Sequence, residues 1–204
     1  SSPIEHWKSS IAYTETTLCP SKTPGVYDVD VRKCWNEKCA SSSSAPSQCW
    51  DLSKITCQHG SDECRGNRLG ACAFDIGGRE GGLLFEVCFM GANQGKLSAA
   101  ESCAETAGLK WSSMAQCADV SSGWGDRLQI ADAKATNAVG AHPGVPYALV
   151  NGKVLDDGDH LLTAICNAYT GTKPSACKGR SINSADLIRT NSMKTLSQQL
   201  IKQT

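Results

Sequence analysis

Residues 57–72 read CQHGSDECRGNRLGAC, a stretch in which polar and small residues separate Cys57, Cys64 and Cys72. Separated cysteines are typical of disulfide bridges, whereas a zinc site favours closely spaced pairs such as C-x2-C. His59 and Glu63 lie within the same stretch. We therefore predict that these cysteines form structural disulfides and that His59 and Glu63 make local hydrogen bonds, with a direct catalytic role for His59 as the alternative.

Cysteines continue along the whole chain, which has twelve: 19, 34, 39, 49, 57, 64, 72, 88, 103, 117, 166 and 177. A reducing compartment would leave them as reactive thiols, whereas an oxidising one converts them into bridges. We expect a mature chain after signal-peptide removal, located outside the cell or in an endo-lysosomal or vacuolar lumen. The same spacing predicts no metal site, and we expect no cofactor.

Size and charge exclude several classes of function. A chain of 204 residues with 40% hydrophobic content predicts a single domain over 1–204. The 20 basic residues are balanced by 20 acidic ones, which argues against nucleic acid as a partner. No apolar run reaches the length of about 18 residues that a membrane span needs. We expect a protein partner, and the sequence leaves its identity and the oligomeric state open.

The first half of the chain predicts two strands followed by a helical block. Residues 11–16 are rich in strand formers, and residues 26–31 (VYDVDV) alternate apolar with polar or aromatic residues. The serine-rich residues 41–47 predict an exposed loop. Residues 57–140 have a mostly helical pattern that glycine pairs at 77–78 and 81–82 interrupt.

The second half predicts a hairpin and two helices. Asn151-Gly152, between the strand candidates 147–150 and 153–155, is typical of a tight hairpin turn. A helix should follow through Leu161 and Cys166 and end by Gly171. An extra helix at about 184–201 carries an apolar stripe, which we expect to pack on the body, with a partner-binding face as the alternative.

The stretch at 57–72 resembles, position for position, the signature of the gamma-interferon-inducible lysosomal thiol reductase family, CQHG, EC, N and C at fixed spacing. The matching residues are Cys57, Gln58, His59, Gly60, Glu63, Cys64, Asn67 and Cys72. The segment from about 145 to 177 is also similar to the closing part of that family. The resemblance covers about 57–177 well and the first 56 residues only in part.

This resemblance implies an α/β class with a thioredoxin-like fold and a large disulfide-stapled helical insertion at about 57–140. It also implies disulfide reduction through a C-x-x-C motif at the start of the first helix, where the helix dipole lowers the pKa of the first cysteine. In this sequence the catalytic position corresponds to Cys19, and Pro146 corresponds to the cis-proline of thioredoxin-like folds.

The chain departs from this pattern at the redox motif itself, which reads Cys19-Pro20-Ser21-Lys22. The lysine at the resolving position cannot form a disulfide. Only three residues, 23–25, separate Lys22 from the predicted strand at 26–31, and they include a proline and a glycine. We therefore predict a shortened or missing first helix, and an ordinary or structural role for Cys19.

The number of cysteines supports a structural role. Eight of them, from Cys57 onward, fit the family pattern and can form four bridges. Cys34, Cys39 and Cys49 fall outside that pattern, and with Cys19 they can form two more. We predict that Cys19 is bonded to one of these three.

Two functions follow. The first is a scaffold, with a binding or structural role, that has lost dithiol reductase activity. The alternative is a thiol oxidoreductase that reduces protein disulfides through Cys19 or through a relocated pair, Cys34 and Cys39 in CWNEKC. A plain loop bridge is the simpler interpretation of that pair.

Overall fold

The computed structural model describes residues 13–40, 45–138, 147–155 and 161–177. They fall into two compact units, one with residues 13–40 and 45–138 and the other with residues 147–155 and 161–177. The helices are α1 (Val29–Trp35), α2 (Ser61–Glu86), α3 (Ala100–Thr106), α4 (Trp111–Ala118), α5 (Trp124–Ala138) and α6 (Leu161–Ala168). The strands are β1 (Tyr13–Thr14), β2 (Ile55–Thr56), β3 (Leu149–Val150) and β4 (Lys153–Val154). Among these helices, none is long and apolar enough to cross a membrane.

Strand β1 pairs with β2 in a two-stranded antiparallel sheet, with Tyr13 opposite Thr56. Beside it lies an apolar cluster that we call the N-terminal cluster: Tyr13, Cys19, Val31, Trp35, Cys39 and Cys49. The Trp35 indole donates a hydrogen bond of 3.2 Å to Thr14 Oγ1, and that hydroxyl donates one of 2.6 Å to Cys49 O. Buried polar groups of β1 therefore have partners, as burial requires.

The predicted strand at 26–31 is wrong, because helix α1 begins within it at Val29. The Asp28 side chain accepts hydrogen bonds from the backbone N–H groups of Asp30 and Val31, and so caps the helix. Val31, Trp35 and Cys39 are buried at intervals of four residues along α1 and the π-helical turn Asn36–Ala40 that follows it. The alternation at 26–31 is a local coincidence, and the longer helical period decides the structure.

Helix α2 reverses direction at Gly78, whose φ of 62° is non-helical. Gly82 packs on the Phe74 ring, Glu86 lies against Gly70, and Phe89 approaches Gly66. These pairs are nested around residue 78, so the two halves of α2 form an antiparallel helical hairpin. The predicted interruption of the helix is confirmed, and it occurs at a single glycine of the two pairs. The other glycines allow the two halves of α2 to approach closely.

Helices α3, α4 and α5 pack around this hairpin and confirm the helical block predicted from residue 57 onward. Their common core is apolar and includes Leu69, Phe85, Phe89, Ala104, Met114 and Ala118. Two disulfides lie within it: Cys72–Cys117 joins α2 to α4, and Cys88–Cys103 joins the end of the hairpin to α3.

The second unit contains the predicted hairpin and helix. Strands β3 and β4 pair antiparallel across the Asn151-Gly152 turn, in which both residues have positive φ. Helix α6 follows as predicted and ends at Ala168, and Cys166 is bonded to Cys177 in the segment after it. The predicted helix at about 184–201 lies outside the described residues, as do Pro146 and residues 41–44 of the predicted serine-rich loop.

The helix-rich structure with short strands and six disulfides is compatible with the predicted α/β class. The described strands form two separate two-stranded sheets. The thioredoxin-like arrangement and the single domain over 1–204 stay predictions.

One buried ion pair joins α2 to α5. Arg68 Nη1 lies 3.2 Å from Asp126 Oδ1, and Arg68 Nε donates a hydrogen bond of 2.8 Å to Ala118 O. Gln129 Nε2 adds a hydrogen bond of 3.4 Å to the same carboxylate oxygen. All three side chains that meet here, from Arg68, Asp126 and Gln129, are buried. The charges of Arg68 and Asp126 therefore balance each other inside the helical unit.

The same hairpin holds the partly buried carboxyl group of Glu86. Burial of Glu86 against Gly70 raises its pKa from 4.5 to about 7. The unfolded chain releases this proton near pH 4.5 and the folded chain near pH 7, so the unfolded state binds fewer protons between these values. The contribution of Glu86 to the free energy of unfolding is therefore fully present below pH 4.5 and is lost as pH rises to about 7.

Replacing Asp126 with Asn should lower the free energy of unfolding by about 3–5 kcal/mol, because the Arg68 charge stays buried without its counter-ion. Denaturant unfolding with the disulfides intact measures this change. The matched control is Glu105→Gln, at an exposed site on α3, which should change stability by less than about 0.5 kcal/mol. Equal effects of the two substitutions would contradict a structural role for the ion pair.

Glu86→Gln should stabilise the chain at neutral pH and leave it unchanged at acidic pH. We expect a gain of roughly 2–3 kcal/mol at about pH 7.5 and none at about pH 4, since glutamine removes only the ionised form. Thermal or denaturant unfolding across this pH range measures the difference from the parent chain. The exposed Glu80→Gln, on the same hairpin, is the control, and a pH-independent difference for Glu86→Gln would refute the assignment.

Candidate active site

The sulfur of Cys19 is bonded to Cys34 of α1, with their Cα atoms 5.8 Å apart. Cys39 of the following π-helical turn is bonded to Cys49, with Cα atoms 5.6 Å apart. The prediction that Cys19 pairs with one of Cys34, Cys39 and Cys49 is confirmed. Cys34 and Cys39, the candidate relocated redox pair, are each bonded to a different partner.

The segment directly after Cys19 is not helical. Residues 20–28 form turns and bends, and α1 begins only at Val29. The backbone N–H of Cys19 is directed to Thr16, with 3.1 Å to Oγ1 and 3.3 Å to the carbonyl oxygen. Cys19 is 1% exposed. Residues 20–28 therefore provide no helix N-terminus whose N–H groups could point at its sulfur, and burial limits access of another protein.

The side chains of Tyr13, in β1, and of Glu15, just after it, hold the loop of residues 20–28 in place. The Tyr13 hydroxyl donates a hydrogen bond of 3.1 Å to Val26 O and accepts one of 3.0 Å from Asp28 N. Burial raises the pKa of Tyr13 above its ordinary value, which keeps the phenol neutral and able to donate. The Glu15 carboxylate accepts hydrogen bonds from Gly25 N and from the Thr56 hydroxyl, and so joins the loop to β2.

Cys34 is the more accessible sulfur of the pair, because it is only half-buried. Lys38 Nζ donates a hydrogen bond of 2.8 Å to Leu18 O, and Cys34 Sγ lies 3.5 Å from the same oxygen. An ammonium group therefore lies close to the bridge. Lys22, at the predicted resolving position, is exposed.

The signature at 57–72 forms the N-terminal end of α2. Cys57 is bonded to Cys64, and Gly60, with a φ of 94°, is the N-cap residue. Glu63 accepts a hydrogen bond from the backbone N–H of His59 and lies 3.1 Å from its ring nitrogen Nδ1. Glu63, the third residue of α2, thus reaches back past the Gly60 N-cap to His59 and fixes the turn that precedes the helix.

The remaining signature residues belong to the same region. Asn67 directs its amide toward Cys57 Sγ at 4.0 Å, Gln58 is exposed, and Cys72 is bonded to Cys117. Cysteines from Cys57 onward thus pair among themselves in four bridges, as predicted, and no cysteine is free. Within the described residues, His, Cys, Asp and Glu side chains form no group able to hold a metal ion.

Sequence reasoning missed Tyr13, Glu15 and Lys38. Each contacts a backbone group at the other end of a loop. Such a contact cannot be recognised from the spacing of residues in the sequence. Only Lys38 had a detectable signal, since it stands four residues after Cys34 and therefore on the same helical face.

Comparisons with known proteins find similarity to the family that the stretch at 57–72 resembles. A family model described as gamma interferon inducible lysosomal thiol reductase matches residues 16–107. A gamma-interferon-inducible lysosomal thiol reductase of Carassius auratus is 34% identical over 129 residues, which cover 59% of this chain and 50% of that protein. The protein of the same name from Mus musculus is 36% identical over 130 residues, which cover 61% and 50%.

A plant protein is similar as well. The gamma-interferon-responsive lysosomal thiol protein of Arabidopsis thaliana is 33% identical over 132 residues, which cover 60% of this chain and 53% of that protein. The chain thus matches about half the length of each of these curated relatives. With the signature at 57–72 and the match over residues 16–107, this chain is similar to the gamma-interferon-inducible lysosomal thiol reductase family over about half of its length.

Proposed function

We propose that this chain has lost the dithiol reductase activity of its family and serves as a disulfide-stapled binding or structural scaffold. The observation that carries the proposal is the bond between Cys19 and Cys34, which occupies the sulfur at the family's catalytic position. A bonded and buried sulfur is not a nucleophile, because attack on a substrate disulfide requires a free thiolate.

Two further features near Cys19 support the loss of reductase activity. Lys22 stands where the family has its resolving cysteine, so a mixed disulfide on Cys19 has no second thiol at that spacing. The turns of residues 20–28 provide no helix dipole to lower the pKa of the Cys19 thiol. Activity therefore needs more than the release of Cys19 from its bridge.

The proposal includes a location and a fold. Twelve bonded cysteines favour an oxidising environment, namely the secretory route or an endo-lysosomal or vacuolar lumen. The relatives' names place those proteins in lysosomes. We assign the chain a single thioredoxin-like domain with the helical block as an insertion, and Pro146 as its cis-proline.

A second function, a thiol oxidoreductase, is favoured by one observation. Cys34 is half-buried, and the Lys38 ammonium group contacts the same carbonyl oxygen as its sulfur. A neighbouring cation lowers the pKa of a thiol, so a reduced Cys34 would be the attacking thiolate and Cys19 the resolving thiol. This pair replaces the Cys34–Cys39 pair considered from the sequence.

The scaffold function predicts that the native chain does not accelerate insulin reduction by dithiothreitol above the uncatalysed rate. The bridge stays closed, so neither Cys19 nor Cys34 should take up iodoacetamide at about pH 5 or pH 7 without denaturant. Alkylation followed by mass spectrometry measures this, and the denatured, reduced chain is the positive control. Insulin reduction that Cys34→Ser abolishes and Cys39→Ser preserves would establish the oxidoreductase instead.

Lys22→Cys should not restore reductase activity, although it recreates the C-x-x-C spacing. Cys19 remains bonded to Cys34 in this variant, and no helix N-terminus stands behind it. Even the double variant Lys22→Cys/Cys34→Ser should stay more than about tenfold below an active family member, since the thiolate lacks its activating dipole.

The control for this experiment is Lys110→Cys, which adds one exposed thiol on a different part of the surface. Insulin reduction by Lys22→Cys above the level of this control would show that the site is intact apart from one substitution. That result would overturn the inference that the bond to Cys34 and the missing helix, in addition to Lys22, prevent reductase activity.

A further inference from the structure

The Cys88–Cys103 bridge has a hydrogen-bond donor directed at both of its sulfurs. Asn93 Nδ2 lies 3.7 Å from Cys88 Sγ and 3.5 Å from Cys103 Sγ. The same amide group donates a hydrogen bond of 2.9 Å to Cys88 O, which fixes its direction. By comparison, Asn67 lies at 4.0 Å from a single sulfur, that of Cys57.

Backbone contacts hold this amide in place before any reaction. Asn93 follows the π-helical turn Val87–Ala92, and its N–H donates to Cys88 O at 3.1 Å. Gln94 and Gly95 then adopt left-handed φ values of 55° and 69°, and Gly95 N donates to Phe89 O at 2.8 Å. A non-glycine residue in this region is uncommon and is often found where a side chain must be positioned.

The two sulfurs differ in access. Cys103 is 0% exposed, within the core formed by Phe85, Phe89 and Ala104. Cys88 is only partly buried at the edge of that core. Because Cys88 is the more exposed of the two residues, we take it as the one that an incoming thiolate attacks, which makes Cys103 the leaving group.

We propose that Cys88–Cys103 is a thiol-exchange site, at which an external thiolate attacks Cys88 and Asn93 stabilises the departing Cys103 thiolate. The new bond joins the incoming sulfur to Cys88, and the electron pair of the broken sulfur–sulfur bond stays on Cys103. A second thiol then attacks the mixed disulfide. The external thiols leave as a disulfide, oxidised by two electrons, and Cys88 and Cys103 take up protons from solvent.

The physical reason is that a thiol of lower pKa leaves faster in thiol–disulfide exchange. A hydrogen bond to the thiolate lowers its pKa, because the charged form is the better acceptor. The amide is already in place in the oxidised chain, so it needs no rearrangement as charge develops on Cys103. This site is independent of Cys19 and of the function proposed above.

The proposal predicts a defined first adduct in the unmodified chain. The native chain is treated with reduced glutathione at neutral pH, quenched with acid and mapped by mass spectrometry. We expect the Cys88–Cys103 bridge to open before the other five, with glutathione attached to Cys88. Glutathione on Cys103, or an earlier opening of the other bridges, would overturn the proposal without the use of any variant.

Asn93→Ala tests the role of the amide. If it stabilises the leaving thiolate, the variant should open this bridge about three- to tenfold more slowly, with the Cys57–Cys64 bridge unchanged. A merely structural role for Asn93 predicts the opposite, since loss of the turn would expose the sulfurs and speed their reduction. Ser102→Ala, which removes a hydroxyl bonded to Ala99 O next to Cys103, is the matched control and should have no effect. An unchanged or faster rate in Asn93→Ala would refute the proposal.

Discussion

The bond between Cys19 and Cys34 connects a residue shortly after strand β1 to helix α1. It spans residues 20–28, which form turns and bends and have little regular structure of their own. A bridge that closes a loop of about fifteen residues stabilises the folded state by about 3 kcal/mol, mainly by restricting the unfolded chain. Tyr13 and Glu15 add directional hydrogen bonds to the same loop. With these contacts in place, α1 can bury Val31 and Trp35 in the N-terminal cluster. The sulfur of Cys19, at the position that the resemblance makes catalytic, is thus part of the framework in this chain.

Features that depend on local chemistry could be predicted from the sequence. The turn at Asn151-Gly152 forms because both residues accept positive φ, and the strands on either side follow from it. The separation of cysteines into a framework set and an N-terminal set followed from the resemblance to the family, and an oxidising compartment, which leaves few thiols unpaired, implied that both sets would be bonded. Spacing could not supply the individual pairs, which depend on how helices approach each other. Cys72 and Cys117, for example, are far apart in sequence and meet only because α4 packs on α2.

Features that depend on distant partners could not be predicted. Alternation at 26–31 indicated a strand, but helix α1 is selected by the Asp28 cap and by burial of residues as far along as Cys39. The glycine pairs at 77–78 and 81–82 indicated that the helix is interrupted. They did not indicate that the chain reverses its direction there. Gly78 alone reverses the chain, and neighbouring glycines let Leu109 and Phe74 pack against the backbone. The Arg68–Asp126 pair had no sequence signal, since its members are joined only after the hairpin and α5 pack together.

The contrast between two bridges shows that donors around a sulfur, more than the spacing of cysteines, decide what a disulfide can do. At Cys19 the nearest backbone N–H groups are engaged by Thr16, and the chain continues as turns. A thiolate formed there gains neither a helix dipole nor an amide donor. At Cys103 the Asn93 amide is oriented toward the sulfur by its own hydrogen bond to Cys88 O. A thiolate there gains stabilisation at once, although the two cysteines share no redox motif. A search by motif therefore points to Cys19, whereas the physical requirements of thiol exchange are better met at the Cys88–Cys103 bridge.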